Sequence, residues 1–340
     1  MVKSYAEAGV SQEEKAAHIA AVVGELTYRR RGRGRPLTKI GHFGGLVDFG
    51  SYALSLCTDG VGTKLIVANE MRRWDTVGID CVAMNVNDMI CVGAEPIAFV
   101  DYFAIEHYDH EVARQIGIGL NRGARMANVS IIGGEVAVLP EIVRAFDLAG
   151  TCFGMVRKKD VVTGQAIRPG DAIIGLPSAG IHSNGLTLAR RVLRDANLTV
   201  FDRVGGAGEP WGPTLLEPTR IYVKPVLRAL KQATIHGMAH ITGGGLRNLV
   251  RLKPNVEFAI TDPLPPHLLF RELQALAGIE DAEMYQTFNM GMGFAIVTPE
   301  SEAKDAVRAL RPQVKATVVG EVRKGRGVSA PSLGLAYETY

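Results

Sequence analysis

The sequence predicts an α/β (α+β) fold with two domains, and three observations support this. The chain is 340 residues long, which is typical of two domains of ordinary size. Predicted strands and helices alternate in both halves, and the pattern restarts after GMVRKKDVV. Glycine-rich loops directly follow several of the predicted strands. We therefore expect domains at residues 1–157 and 158–340.

In the first half, Ser11 and Glu14 form a possible capping box for a helix that ends near Glu25. SYALSLC alternates like a strand, and the middle of WDTVGIDCVAMNVNDMICVGA has helical spacing. Residues 109–127 read as another helix. Further strands are predicted in PIAFVDYFAI, VSIIGGE and FDLAGTCFGMV.

In the second half, RPGDAIIGLPSAGIHSNG reads as a turn, a buried strand and a glycine-rich loop that leads into the helix LTLARRVLRDA. Helices are predicted around 217–232 and 267–278. VEFAIT, FAIVT and KATVVGEV are predicted strands.

Composition and charge narrow the class of protein. A net charge of only +3 does not favour a protein whose whole surface binds nucleic acid. No apolar stretch is long enough to span a bilayer, and the N-terminus has no apolar signal core. The four cysteines have no C-x-x-C spacing and are expected to be buried, reduced thiols. We expect a soluble cytoplasmic protein.

Six glycine-rich turns recur along the chain: GHFGG, DGVGTK, IGGE, SAGIHSNG, TGGG and NMGMG. Each one alone could be a simple turn. Loops at strand ends can also present backbone N–H groups to phosphates. Lys64 suits a point-charge contact with phosphate, although it could equally be a surface lysine.

Three acids are candidate ligands for Mg²⁺, which prefers oxygen ligands and bridges one or two carboxylates to phosphates. Asp59 begins the DGVGTK loop, Asp88 lies in an apolar helix and Glu135 follows IIGG. A salt bridge or a cap is the alternative for each. His182, between glycines in SAGIHSNG, could act in acid–base chemistry or contact a phosphate. The arginines of RRRGRGR could face phosphate or solvent.

In order, the motifs SYAEAGV, GHFGGLVDF, LCTDGVGTKLIVA, GGEVAVLP, SAGIHSNGLTLAR, LLEPTRIYVKPVL, HITGGGLRNLVRL and FNMGMG resemble those of the phosphoribosylformylglycinamidine cyclo-ligases, the aminoimidazole ribonucleotide synthetases. The likeness covers almost the whole chain. It implies an N-terminal mixed-sheet domain that forms a barrel in a homodimer, and a larger C-terminal α/β domain. It also implies ATP-dependent closure of the imidazole ring of formylglycinamidine ribonucleotide, with Mg²⁺ and without nucleic acid or membrane partners.

The resemblance also implies roles for individual residues. His182, Asp88 and Lys64 are the expected catalytic residues, and Asp59, Asp88 and Glu135 the expected metal ligands. ATP or its phosphates are expected at Gly44, Gly45, Asp59, Gly60, Gly62, Thr63, Lys64, Asn85 and Gly134. The substrate is expected at Ser178, His182, Ser183, Asn184, Gly243 and Gly244.

The chain departs from the family at one motif, because GGEVAVLPEIV stands where GGETAEMP is usual. Val136 and Val138 replace a hydroxyl and a carboxylate, so that role is either dispensable or taken by Glu141. Related ATP-using families remain as alternatives: thiamine-monophosphate kinases, selenophosphate synthetases and a hydrogenase-maturation protein. Their acidic or cysteine motifs are missing here. A non-catalytic nucleotide- or RNA-binding protein that uses the arginine run is the third alternative, and it predicts salt-sensitive RNA affinity without ATP turnover.

Overall fold

Two β-sheets, each built from a separate half of the chain, organise the structure, a computed structural model that describes residues 2–340. The first sheet has the strand order β1-β2-β5-β3-β4. All its neighbouring strands are antiparallel except β3 and β4. Its strands are β1 (Gly45–Phe49), β2 (Tyr52–Gly60), β3 (Glu95–Ile105), β4 (Ser130–Val138) and β5 (Phe146–Arg157).

Four helices accompany the first sheet: α1 (Gln12–Glu25), α2 (Lys64–Met71), α3 (Val77–Ile90) and α4 (His110–Ala127). The side chain of Ser11 accepts a hydrogen bond from the Glu14 N–H at 3.2 Å, as the capping pattern predicts. Helices α3 and α4 approach closely through Gly78 and Gly119. A Cβ atom on Gly78 would lie 2.3 Å from the Leu120 nitrogen, so only glycine allows this packing.

The second sheet has the order β12-β11-β8-β10-β6-β9-β7 and is antiparallel except between β11 and β8. Its strands are β6 (Asp171–Pro177), β7 (Gly237–His240), β8 (Val256–Ile260), β9 (Met292–Pro299), β10 (Thr317–Lys324), β11 (Gly327–Ala330) and β12 (Leu335–Tyr337). The helices of this half are α5 (Leu186–Asp195), α6 (Trp211–Leu215), α7 (Val223–Gln232), α8 (Leu268–Ala277), α9 (Asp281–Thr287) and α10 (Ala303–Leu310). The predicted α/β class is confirmed.

Two predicted elements have different bounds. Strand β4 continues past Glu135 to Val138, because the valines of the altered motif pair with β3. The predicted helix around 217–232 begins only at Val223. The preceding segment is irregular because Pro218 disfavours helix before it and the Thr219 N–H bonds to a side chain rather than to a helix carbonyl.

One face of the first sheet is covered and the other is open. Helix α3 packs on β2 and β5, and the residues facing it, such as Phe99 and Cys152, are buried. On the open face, Leu56 keeps 53% of its surface exposed and Tyr102 keeps 43%. The predicted barrel involves a second chain and stays a prediction, as does the domain boundary at 157/158.

Candidate active site

Two carboxylates meet where strand β2 ends against helix α3. Asp59 is the penultimate residue of β2, and its Oδ1 accepts a hydrogen bond from the Gly60 N–H at 2.8 Å. Burial, followed by the negative charge of Asp88, raises the pKa of Asp59 from 3.8 to about 6. Two acids whose charges repel each other in this way favour a cation between them, because a cation relieves the repulsion.

Asp88 is held from the second half of the chain. Its Oδ1 accepts a hydrogen bond at 2.8 Å from Nδ1 of His240, the last residue of β7. His240 is fully buried, whereas the Asp88 side chain keeps 22% of its surface exposed. The histidine therefore orients a carboxylate that remains accessible to a ligand.

Asn85 contributes a third oxygen beside this pair. Its Nδ2 donates to the Asp59 carbonyl at 3.1 Å and to the Cys81 carbonyl at 2.9 Å. Its Oδ1 is buried and has no hydrogen-bond partner among residues 2–340. Carboxylate and amide oxygens suit Mg²⁺, so the residues present fit this ion. Residues 2–340 contain no cluster of three or more acid, histidine or cysteine side chains that could hold a metal ion.

Glu135 does not join Asp59 within one chain. Across the sheet, Asp59 of β2 pairs with Gly150 of β5, Gly150 pairs with Asp101 of β3, and Asp101 pairs with Gly134 of β4. Glu135 of β4 pairs with Tyr102, the next residue of β3. Successive residues of a strand point to opposite faces, so Glu135 lies on the open face and Asp59 on the helix face. Three strand spacings, about 14 Å, also separate their strands. The three predicted metal ligands therefore fall into a pair and a separate residue.

The loop between β2 and α2 exposes its glycine end and buries its lysine. Gly62, with φ +71°, and Thr63 are exposed, so their backbone groups are accessible to a ligand. Thr63 also shares a hydrogen bond with Thr187 at the start of α5, at 2.9 Å. This end of the loop has the accessibility that a phosphate contact requires.

Lys64 does not have that accessibility, which corrects the expectation of a direct phosphate contact. It is fully buried, and its Nζ lies 2.9 Å from Oδ2 of Asp80 and 2.7 Å from the Glu217 carbonyl. Burial lowers the pKa of the Lys64 ammonium, and the Asp80 carboxylate opposes this shift. The lysine therefore joins the two halves of the chain instead of presenting its charge to solvent.

Asp80 is the centre of this junction. Its Oδ1 accepts from the Ser183 hydroxyl at 3.1 Å, the Thr219 N–H at 2.7 Å and the Thr219 hydroxyl at 2.6 Å. Ser183 belongs to the SAGIHSNG loop, and its hydroxyl is thus engaged by protein. One buried carboxylate consequently fixes the position of this loop relative to α3.

His182 is buried in the same loop and adopts φ +62°. Its Nε2 accepts from the Ala179 N–H at 3.1 Å and from the Arg220 N–H at 3.4 Å. That assigns the proton to Nδ1, which has no partner among residues 2–340. Burial lowers the pKa of His182 well below its usual value, so the ring is a neutral N–H donor.

The loops TGGG and NMGMG contact the SAGIHSNG loop. Gly243 approaches Asn184 so closely that an added Cβ would lie 3.0 Å from its Oδ1. Ser178 is buried, with its hydroxyl 3.2 Å from Nε2 of His267.

Arg251 stacks over Phe43 at 3.9 Å and so holds the loop of Gly44 and Gly45 against the second half. In RRRGRGR, Arg35 pairs with Asp48 at 3.1 Å.

Comparison with known proteins decides the family. The profiles described as "AIR synthase related protein", N-terminal and C-terminal domain, match residues 41–156 and 168–331. A phosphoribosylformylglycinamidine cyclo-ligase of Methanococcoides burtonii is 50% identical over 93% of this chain and 95% of its own length. One of Methanocaldococcus jannaschii is 46% identical over 94% and 92%. The chain belongs to the phosphoribosylformylglycinamidine cyclo-ligase family.

Membership of the cyclo-ligase family makes the chain an enzyme of the ligase class. Solved structures of other proteins share its fold at low identity. Thiamine-monophosphate kinase from Stenotrophomonas maltophilia has a TM-score of 0.64 and 20% identity, covering 94% of this chain and 96% of its own. Hydrogenase maturation protein HypE in complex with ATP has a TM-score of 0.63 and 19% identity, covering 94% and 92%. In residues 2–340, no helix has the length and apolarity to cross a membrane.

Sequence reasoning missed three residues of this candidate site: Asp80, Thr219 and His240. A signal existed for Asp80, because an acid inside an apolar helix requires a partner. His240 directly precedes the loop ITGGGLRN, but its pairing with Asp88 spans 152 positions. Such long-range partners follow from the packing of the two sheets and have no local pattern.

Proposed function

We propose that the chain converts formylglycinamidine ribonucleotide to 5-aminoimidazole ribonucleotide in de novo purine biosynthesis, with ATP consumed to ADP and phosphate. The observation that carries this proposal is the 45–50% identity to cyclo-ligases over more than nine-tenths of the chain. The Asp59–Asp88 pair beside an exposed glycine-rich loop supports the use of a nucleotide and Mg²⁺.

The chemistry needs activation because an amide oxygen is a poor leaving group. The γ-phosphoryl group passes from ATP to the formamide oxygen of the substrate and leaves ADP. The amidine nitrogen then attacks the formyl carbon and forms the new C–N bond. The C–O bond breaks, the oxygen departs with phosphate, and loss of a proton gives the aromatic ring. The protein's share is positioning and charge stabilisation.

The carboxylate pair provides the cation site in this scheme. Asp59 and Asp88 would hold Mg²⁺, with the free Oδ1 of Asn85 beside them. When bound, the ion neutralises phosphate charge and orients the nucleotide. The amides of Gly60, Gly62 and Thr63, and those of the neighbouring glycine loops, would receive the phosphate oxygens. Glu135 would not bind the same ion as Asp59 within one chain, because it lies on the opposite face of the sheet.

His182 would contribute as a hydrogen-bond donor. Its neutral ring offers Nδ1–H without a protein partner, whereas Nε2 is occupied by two backbone donors. A fixed donor of this kind suits a substrate oxygen that gains negative charge during the reaction. The loops around His182 contain the other residues expected to bind the substrate, which are Ser178, Ser183, Asn184, Gly243 and Gly244. Lys64 and Asp80 would keep those loops in register with α3.

A homodimer is part of the proposal. The open face of the first sheet carries exposed apolar residues on adjacent strands, including Leu56, Val100, Tyr102 and Met155. Packing the same face of a second copy against it would bury them and close a barrel. We expect Leu56→Asp to elute as a folded monomer, with Phe201→Asp, an exposed apolar residue in the other half, remaining a dimer. A Leu56→Asp protein of unchanged size would contradict this interface.

The decisive experiment mixes purified protein with formylglycinamidine ribonucleotide, ATP and Mg²⁺. Formation of the aminoimidazole product is followed together with ADP release. Asp59→Asn and Asp88→Asn should each lower turnover by about 100-fold or more, and Asp305→Asn, an exposed acid in α10, should leave it unchanged. Absence of product from the folded wild-type protein would refute the activity. Unchanged metal-dependent turnover in both variants would refute only the site.

A further inference from the structure

A second cavity lies between the two halves of the chain, at the N-terminal end of α3. Its volume is about 600 Å³. Thr76 and Ile79 line it from one side, Arg122 from α4, and the segment from Glu217 to Pro225 from the other half. A space of this size at a domain junction is typical of small-molecule sites.

The lining of this cavity carries an excess of positive charge. Arg73, Arg122, Arg220 and Lys224 line it, with Glu217 as the acid among the lining residues. Asp75 pairs with Arg73 at 3.1 Å and with Arg122 at 3.5 Å. Within residues 2–340, Arg220 and Lys224 form no ion pair, and Lys224 Nζ donates only to the Arg125 carbonyl at 3.0 Å. Two cations are therefore left to attract an anion.

A buried hydroxyl without a partner marks the same wall. Thr76 is only 3% exposed, and its Oγ1 has no hydrogen-bond partner among the described residues. It precedes α3, yet its side chain makes no capping bond. A polar group left unsatisfied in the interior is costly. A bound acceptor within the cavity would satisfy it.

This cavity is separate from the carboxylate pair. Twelve residues of the α3 segment separate Thr76 from Asp88, which at 1.5 Å per residue is about 18 Å. The two places are nevertheless mechanically connected. The Arg220 N–H donates to Nε2 of His182 at 3.4 Å, and Nδ2 of Asn87 donates to the Arg220 carbonyl at 2.8 Å. The cavity wall thus also supports the buried histidine.

We propose that this cavity is a second anion site, which binds a phosphate group or a small phosphomonoester through Arg220, Lys224 and the Thr76 hydroxyl. A guanidinium, an ammonium and a hydroxyl are the donors that phosphate oxygens accept most readily. Occupancy would order the segment that holds His182. A ligand bound in this cavity would therefore alter turnover from a distance, without itself occupying the carboxylate pair.

The test is a calorimetric titration of the metal-free protein with inorganic phosphate, ribose 5-phosphate and AMP in separate arms. Preference among the three identifies whether free phosphate, a sugar phosphate or a nucleotide is the natural source. Arg220→Met should weaken the tightest of the three by at least about 10-fold, the loss expected for one charge-assisted contact. Arg326→Met, an exposed arginine far along the chain, should bind like wild type. Asp59→Asn should also retain the affinity, which separates this site from the one proposed for the reaction.

Thr76→Val should affect stability and ligand affinity differently: the melting temperature should not fall, whereas the affinity should. Valine has the shape of threonine but lacks the unpartnered hydroxyl, so the ligand-free variant should melt at or above the wild-type temperature. Its affinity for the phosphate ligand should fall by about 3-fold or more. Equal affinity in wild type, Arg220→Met and Thr76→Val would overturn the proposal, as would no detectable binding by wild type. Because these readouts are binding and melting, they are independent of whether the cyclo-ligase reaction occurs.

Discussion

Replacing Lys64 with methionine should strongly destabilise the protein. Methionine keeps an unbranched chain of similar length and removes the charge. In the native structure the Lys64 ammonium is fully buried, 3.0 and 2.9 Å from the two oxygens of Asp80. Without it, Asp80 retains three hydrogen bonds from Ser183 and Thr219 but loses its only opposite charge in the ion pair. The result is a buried, uncompensated carboxylate.

Breaking a buried ion pair from one side costs about 3–5 kcal/mol, and the whole free energy of unfolding of a domain is about 5–15 kcal/mol. We expect the loss in Lys64→Met to lie in the former range. The assay is urea unfolding at pH 7, followed by the fluorescence of Trp74 and Trp211, which are buried in different halves of the chain. Both probes should report the loss, because the pair also contacts the Glu217 carbonyl of the second half.

Two variants make this prediction decisive. Lys315→Met, at an exposed lysine, should change the free energy of unfolding by less than about 0.5 kcal/mol. The double variant Lys64→Met/Asp80→Asn should be more stable than Lys64→Met alone, because asparagine is neutral and leaves no buried, unpaired charge. A Lys64→Met protein within about 1 kcal/mol of wild type would refute the reasoning that the pair is desolvated and structural.

Two further predictions concern a titration and a backbone contact. The pKa of Asp59 is raised from 3.8 to about 6, so the native state holds its proton more tightly than the unfolded state. Without Mg²⁺, stability should therefore fall by up to about 3 kcal/mol as pH rises from 4 to 6 and stay level above, and Asp59→Asn should lose this slope in urea titrations at each pH. Gly245→Ala places a Cβ 1.9 Å from the Tyr285 carbonyl oxygen, whereas Gly278→Ala, also at positive φ, meets no atom within 4 Å. The free energy of unfolding of Gly245→Ala should be lower than that of Gly278→Ala by about 2 kcal/mol or more, and Gly245→Ala should melt at a lower temperature. Equal stability of the two variants would contradict the clash.

The family, the α/β class and most of the helices and strands follow from the sequence alone. Motif order and hydrophobic period are local properties, so they survive without knowledge of packing. The helix from Ser11 to Glu25 and the strand VEFAIT lie within a residue or two of prediction, and a helix fills the middle of WDTVGIDCVAMNVNDMICVGA as expected.

Which charged groups are accessible to a ligand depends instead on how the two halves of the chain pack together. Lys64 ends a glycine-rich loop at a position where a phosphate contact is expected, yet the packing of the two halves buries it against Asp80. Glu135 follows a promising loop, yet strand order and the two-residue period place it on the other face from Asp59. Burial likewise leaves His182 neutral and the Thr76 hydroxyl unpartnered. Desolvation and partners distant in the chain control these outcomes, and neither is written in a local pattern of residues.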